Sequence, residues 1–463
     1  MRIGKLKNYI PLIFSTAGFF ALFVLYIFST TPDDEIDIQL SPRHSSYFDE
    51  FGIPSAYNES YISGDGNVMN VRINSRHGVS EPRIVSNPVN PDAMAVVAND
   101  FFAEGLATVY VSLDGGIQWK QSGIPLSMIR GDLYYSDPWA EFDLKGNLAY
   151  VTVAMRSSEY SRNVIFNLSR DNGLTWMKSP VTVKAFESED AKFDKPKVTF
   201  DEQNNIYVTW LEKTRGNGTV AFSVSLNGGK SFSEEIVVIN GGIDYADLFV
   251  KNGMMYLVYS EDNSIKIISS NDNGASWSKS TVIAEYSPYD DIVEKQRVIK
   301  RSGDKGVRVN SDPQLVLLDG TLHITYSALS DNSEFSDVYY VSGDISGMSF
   351  TEPVRVSDNP HSDKFMPAIT CKDRTIHILY YSSQNDPENL LTEAFIATSM
   401  DNGRSFSCKN ISTESFDPHG ILVGGSYMGD YISITTSKNG LVGVWTDGRS
   451  GNMDLMAGIV GNF

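Results

Sequence analysis

Ser169-Arg170-Asp171-Asn172-Gly173-Leu174-Thr175-Trp176 decides the fold, because the chain writes versions of Ser-x-Asp-x-Gly-x-x-Trp/Phe six times. The others are Ser112/Asp114/Gly116/Trp119, Ser225/Asn227/Gly229/Phe232, Ser270/Asp272/Gly274/Trp277, Ser342/Asp344/Gly347/Phe350 and Ser399/Asp401/Gly403/Phe406. The third of the six exchanges Asp for Asn, and the fifth is one residue longer before its Gly. Alternating apolar segments flank every copy, so each reads as the turn of a β-hairpin. In such a turn the Asp or Asn oxygen accepts backbone N–H groups, the Gly takes a positive φ, and the ring packs on the neighbouring unit. Asp114, Asp171, Asn227, Asp272, Asp344 and Asp401 are therefore expected to be structural.

Working outward, the same parts return around each hairpin: an acidic or prolyl lead-in, an inner strand, a turn and a second strand. Lead-ins stand at Glu81-Pro82-Arg83, Ser136-Asp137-Pro138, Asp194-Lys195-Pro196, Asp244-Tyr245, Ser311-Asp312-Pro313, Phe365-Met366-Pro367 and Gly429-Asp430-Tyr431. Second strands such as Ile206-Tyr207-Val208-Thr209-Trp210 alternate aromatic and β-branched residues, as sheets buried between two neighbours require. Units recurring every 45 to 70 residues or so are the period of four-stranded propeller blades. The expected fold is all-β, a single β-propeller of seven four-stranded blades, with six as the alternative. The seventh unit lacks a hairpin motif, so a strand at Val68 to Ile73 is expected to complete it and close the ring.

A net charge of −19 excludes a nucleic-acid partner, since phosphate backbones are bound through Lys and Arg. The N-terminus differs from the rest. Arg2, Lys5 and Lys7 precede an apolar run from Ile10 to Phe28, close to the roughly 20 residues that cross a bilayer. The expected organisation is a basic stub and transmembrane signal anchor over 1–28, a juxtamembrane linker over 29–65, and the propeller over 66–463. That places the propeller outside the cytoplasm on a single-pass anchor; secretion after cleavage of the segment is the alternative. Cys371 and Cys408 are separated by about three strand spacings of 4.8 Å, beyond disulfide reach. His323 and His377 lie within strands and are expected to be core residues.

Connectivity assigns the chemistry to a rim. With the hairpin motifs on one rim, the lead-ins and the loops after each second strand fall on the other, where propellers bind ligands. That rim collects Arg83, Asp100, Asp137, Arg156, Asp194, Glu212, Asp247, Glu261, Asp312, Asp363, Tyr427, Asp430, Asp447 and Arg449. A segment from Glu285 to Asn310 adds Lys295, Arg297, Lys300, Arg301, Lys305 and Arg308, either as a cap over an anionic ligand or as an ordinary solvated insertion.

The repeated motif resembles that of the bacterial neuraminidase repeat, or Asp-box, proteins, best known as sialidases, and the resemblance covers about residues 80 to 462. It implies three arginines around a substrate carboxylate, an Asp acid/base, and a Tyr nucleophile paired with a Glu. Carried onto this sequence, Arg83 of Arg83-Ile84-Val85 matches the first arginine, although the family's Pro is lost. The resemblance further implies Asp100 as acid/base, Tyr427 or Tyr431 as nucleophile, Glu212 or Glu261 as its partner, Arg449 as a late arginine and Arg156 or Arg308 as the third. Asp447 and Asp430 complete the expected binding residues. The function so implied is exo-acting hydrolysis of terminal, sialic-acid-like sugars on a glycan or glycoconjugate, with no cofactor required. The alternative is a non-catalytic propeller binding glycan, protein or a divalent cation such as Ca2+, to which the rim's carboxylates are suited.

Overall fold

The computed structural model describes residues 60–62 and 67–461, leaving aside internal stretches of which 101–106, 125–133, 186–190 and 300–305 are the longest. The expected anchor at 1–28 and nearly all of the linker lie outside the described residues, as does Tyr427. Among the described residues there is no helix, hence none long and apolar enough to cross a membrane.

Seven antiparallel sheets of at least four strands make up the propeller, the blade count that the repeat predicts. Blade 1 runs Val79–Asn87, Asn90–Asp100, Ala107–Ser112 and Lys120–Ser122, and blade 2 runs Tyr134–Phe142, Leu148–Ser157, Tyr160–Ser169 and Val181–Ala185. Blade 3 is Ala191–Phe200, Ile206–Thr214, Asn217–Ser225 and Ile236–Ile239; blade 4 is Tyr245–Lys251, Met254–Glu261, Ser264–Ser270 and Thr281–Glu285. Blade 5 begins Gln314–Leu318, Thr321–Leu329 and Ser336–Asp344, and two short strands, Ser349–Phe350 and Val354–Arg355, share its outer edge. Blade 6 is Lys364–Lys372, Thr375–Ser382, Glu393–Ser399 and Ser407–Asn410. Its first and last strands carry Cys371 and Cys408, which are not joined in a disulfide.

Blade 7 is built from both ends of the chain. Ser433–Ser437, Gly440–Asp447 and Asp454–Gly461 are completed by Val68–Arg72, which pairs antiparallel from Val68↔Val460 to Arg72↔Met456. The closure is also polar: Arg72 Nη2 and Asn74 Nδ2 both donate to Asp454 Oδ1, at 3.1 and 2.9 Å. Pairing the ends in one sheet removes the edges that an open ring would expose.

Second strands such as Thr321–Leu329 are buried along almost their whole length, because a neighbouring blade covers each face. The core is accordingly a set of layers between blades: Val442, Val444 and Ala457 of blade 7 pack with Ile84, Met94 and Val96 of blade 1. The repeated hairpin fastens these layers. Ser169 Oγ donates to Asp171 Oδ1 at 2.8 Å and accepts from Gly173 N, while Thr175 N donates to Asp171 Oδ1 at 2.8 Å. Asp114, Asn227, Asp272 and Asp401 repeat this scheme. In the longer fifth copy Asp344 Oδ1 instead accepts from Ser346 N and Oγ, both at 2.7 Å. At Gly229, φ is +80° and a Cβ would lie 2.3 Å from Phe166 Cε1 of blade 2, so conformation and contact both require glycine.

His323 is buried as expected, whereas His377 is half-buried. His323 Nδ1 lies 2.6 Å from Tyr340 Oη, His377 Nδ1 lies 3.0 Å from Thr398 Oγ1, and burial lowers both pKa values, that of His377 to about 4.

Candidate active site

The lead-ins share a backbone device. Glu81, Asp137, Lys195 and Met366 each precede a proline, each has a left-handed φ of 58°, 52°, 46° and 50°, and each sits at a register shift in its first strand. A non-glycine residue with positive φ is costly, and sites of this kind concentrate where function over-determines the backbone. The bulge turns these residues out of the pleat. Glu81, Asp137 and Lys195 thereby line one cavity of about 280 Å3.

First strands or lead-ins of blades 1 to 5 and 7 meet at this cavity, together with the segment between blades 4 and 5. Hydrogen bonds tie the lead-ins together: Asp430 N donates to Glu81 Oε1 at 3.0 Å, and Asn99 Nδ2 donates to Glu81 Oε2. Asn99 Oδ1 then accepts from Asp137 N at 3.0 Å, and Asp137 Oδ2 from Lys195 N at 3.4 Å. Four blades are thus stapled through side chains, of which those of Glu81 and Asp137 also line the cavity.

Two neighbouring carboxyl groups are driven in opposite directions. Burial, followed by the charges of Asp194 and Glu81, raises the Asp137 pKa well above its usual value, and Asp137 is hydrogen-bonded to Asp194. Burial also opposes ionisation of Asp194, but the charges of Lys213, paired to Asp194 Oδ2 at 2.5 Å, and Lys195 outweigh it and hold that carboxyl below the usual range. Pairs of titratable groups pushed apart in this way mark an acid and its charged companion. Asp137 Oδ1 is buried and accepts no N–H or hydroxyl group from the surrounding residues.

Around this pair the charges alternate. Burial disfavours the Lys195 ammonium, yet Asp312, which it contacts, and Asp430 and Asp194 keep it charged. Lys197 Nζ donates to Tyr245 Oη at 2.7 Å and Asp247 Oδ2 at 3.0 Å, and burial lowers its pKa nonetheless. Arg308 Nη2 donates to Asp430 Oδ2 at 2.7 Å. Trp139, Tyr245, Tyr286 and Tyr431 supply aromatic walls, and the Tyr431 phenol is pushed well up by burial and then by Glu81, Asp137, Asp430 and Asp194.

The structure distributes the sequence candidates unevenly. Asp430 and Tyr431 line the cavity, and Arg297 and Arg308 of the basic segment do so too. Arg83 reaches it only through Trp139: its guanidinium lies 4.4 Å from that ring's centroid and pairs with Glu141 Oε2 at 2.8 Å. Arg449 does not line it, because Asp447 accepts from its Nε and Nη2 at 2.9 and 2.8 Å and Thr413 Oγ1 from Nη1. Asp447 is fully buried and also takes the Trp445 Nε1 proton, so the pair braces blade 7. Asp100 is buried opposite Val79, and Glu212 stands opposite Phe193 in blade 3; neither is among the lining residues. Glu261 is paired with Lys266 at 2.7 Å, and Arg156 lies in the second strand of blade 2.

Asp137, Asp194 and Asp312 stood among the rim residues without a role, and Lys195, Lys197 and Tyr245 were missed. Lys195 and Lys197 flank the lead-in proline Pro196, which was their available signal, and Tyr245 stands in a lead-in without a proline. The carboxylate surplus that suggested Ca2+ is answered by Lys195, Lys197, Lys213 and Arg308, and among the described residues no group of three His, Cys, Asp or Glu side chains is arranged to hold a metal.

No protein-family model matches the chain, and no curated protein matches its sequence. Similar solved structures are sialidases and other β-propeller glycan enzymes. An ulvan lyase from a polysaccharide lyase family aligns at 12% identity over 85% of this chain and 96% of its own, with a TM-score of 0.51. NanB sialidase from Streptococcus pneumoniae aligns at 11% identity over 89% of this chain and 91% of its own, TM-score 0.45. A Trypanosoma rangeli sialidase mutant with trans-sialidase activity aligns at 14% identity over 73% of this chain, TM-score 0.46; the aligned part is 56% of that sialidase. These likenesses concern the fold.

Proposed function

We propose that this chain is a glycan-processing enzyme that cleaves a glycosidic bond at a sugar seated in the axial cavity, with Asp137 as general acid. The observation that carries the reading is the buried Asp137 beside the half-buried Asp194, one carboxyl raised and its neighbour lowered, on the wall of an aromatic-lined cavity. Asp137 gives its proton to the glycosidic oxygen as the C–O bond breaks. Its new charge then faces those of Asp194 and Glu81, so it readily takes a proton back from the water that attacks the sugar. The same carboxylates stabilise positive charge as it develops on the sugar ring. At about 280 Å3 the cavity stands at the small end of ligand sites, which suits one terminal sugar better than the interior of a chain. Lys195, Arg297 and Arg308 favour a sugar bearing an anionic group.

The apolar run at residues 10–28 gives this enzyme a membrane anchor with its propeller outside the cytoplasm, where glycans are presented. A non-catalytic glycan-binding propeller is the second reading, favoured by the fact that Lys195, Lys197 and Arg308 already hold protein carboxylates. Release of a fluorophore from acidic and neutral glycosides by the full chain separates the two. The enzymatic reading expects turnover that Asp137→Asn removes while sugar binding persists; binding without turnover in the unsubstituted chain supports the second.

A further inference from the structure

The segment between blades 4 and 5 brings an arginine to the cavity already holding a carboxylate. Its strands Gln296–Ile299 and Val307–Arg308 pair at Val298↔Arg308, and Val309 N donates to Arg297 O at 3.0 Å. From this small sheet Arg308 reaches Asp430, across to the lead-in of blade 7. The two partners are unequal: the Arg308 side chain is 24% exposed and that of Asp430 is 6% exposed. Asp430 Oδ1 is buried without a hydrogen-bond partner, and so is Ser311 Oγ on the same cavity wall. The arginine is open to the cavity, and its carboxylate partner is half satisfied.

We infer that Asp430 is an internal stand-in for a carboxylate on the substrate, and that binding proceeds by exchange on Arg308. This rests on the reading of the cavity as a sugar site and names the substrate class as acidic sugars. A sugar carboxylate replaces Asp430 against the guanidinium, whose fork accepts a planar anion in bidentate fashion. Like replaces like at the arginine, so little charge interaction is lost there. The displaced Asp430 is not stranded, because the Lys195 ammonium already interacts with it and the hydroxyl groups of a sugar can donate to its oxygens. A neutral sugar has no group to offer in exchange and leaves the pair closed. Selectivity therefore comes from a competitor that only an anion displaces, as well as from attraction.

The exchange is tested by binding, separately from turnover. Titration calorimetry at low salt on the full chain carrying Asp137→Asn compares glucuronic acid with its methyl ester, which loses the charge and gains one methyl group. The acid is expected to bind about tenfold more tightly than the ester. Adding Asp430→Asn removes the competitor, tightening the acid by about tenfold again while leaving the ester unchanged. Arg308→Ala erases the difference between acid and ester, and Arg308→Lys, which keeps the charge without the fork, reduces it. Melting curves identify any variant that fails to fold. The inference is overturned if Asp430→Asn weakens the acid or leaves it unaltered, if Arg308→Ala keeps the preference, or if neither sugar binds. Acid-selective binding without turnover in the unsubstituted chain would retire the enzymatic reading and leave the exchange standing.

Discussion

The two rims of the propeller use aspartate in opposite ways. On the hairpin rim, Asp272 and Asp401 are held by hydroxyl and N–H groups of their own turns, and those bonds lower each pKa to about 2. On the lead-in rim, Asp137 is buried and Asp194 half-buried, and their partners come from other strands and other blades. An aspartate satisfied by its own turn is stable as an anion and has no proton to give at neutral pH. An aspartate enclosed by other acids holds its proton until a substrate arrives. Chemistry follows from non-local company, and the same residue type serves as a fastener where its company is local.

This contrast can be broken or sharpened by substitution. The largest expected effect is on turnover: Asp137→Asn lowers kcat by about 10³-fold with little change in stability, whereas Asp272→Asn leaves kcat intact. Initial rates with matched melting curves check both; equal losses of rate would erase the distinction between the rims. Next in size is ring closure, which depends on neither rim. Asp454→Ala removes the carboxylate that both Arg72 and Asn74 donate to in the closing strand and is expected to cost about 3 kcal/mol in denaturant unfolding. On the hairpin rim Gly229→Ala forces a Cβ against Phe166 at positive φ and costs about 3 kcal/mol without altering substrate preference.

Subtler effects are read in pH. Asp194→Asn removes a charge that raises the Asp137 pKa, so the pH at which activity falls on the alkaline side should move down. An unmoved or rising limb would show that Asp194 does not hold the proton on Asp137. The smallest effect concerns Asp272. Its folded pKa is depressed from 3.8 to about 2, so its contribution to stability is fully present above 3.8 and is lost as pH falls through 2. Asp272→Asn should therefore flatten the acid side of the stability profile and leave the neutral side alone.

How much of this was legible in the sequence follows the same line between local and non-local. The hairpins, the seven blades and the closing strand rest on residues a few positions apart, and the structure reproduces them. Connectivity also separated the two rims. The site was harder to read: Lys195 meets Asp312 across 117 positions and Arg308 meets Asp430 across 122, distances no periodicity reports. Arg449 looked available on the late loop of blade 7, but Asp447, two residues earlier, occupies its guanidinium. Asp100 followed the family resemblance and lies buried opposite Val79. The one local sign of the site was the proline of the lead-ins; Glu81, Asp137 and Lys195, each just before one, take the left-handed backbone that a non-glycine residue holds only under constraint.

The central claim is that burial and the charges of Asp194 and Glu81 hold a proton on Asp137, while the hydrogen bonds of its own turn keep Asp272 ionised. Infrared difference spectroscopy of the unsubstituted chain against Asp137→Asn, with Asp272→Asn as reference, measures it without a substrate. The account predicts that Asp137→Asn removes a protonated-carboxyl C=O band at neutral pH, and that Asp272→Asn removes only carboxylate bands. Loss of a carboxylate band in both would mean that Asp137 is ionised, and would contradict its assignment as the acid.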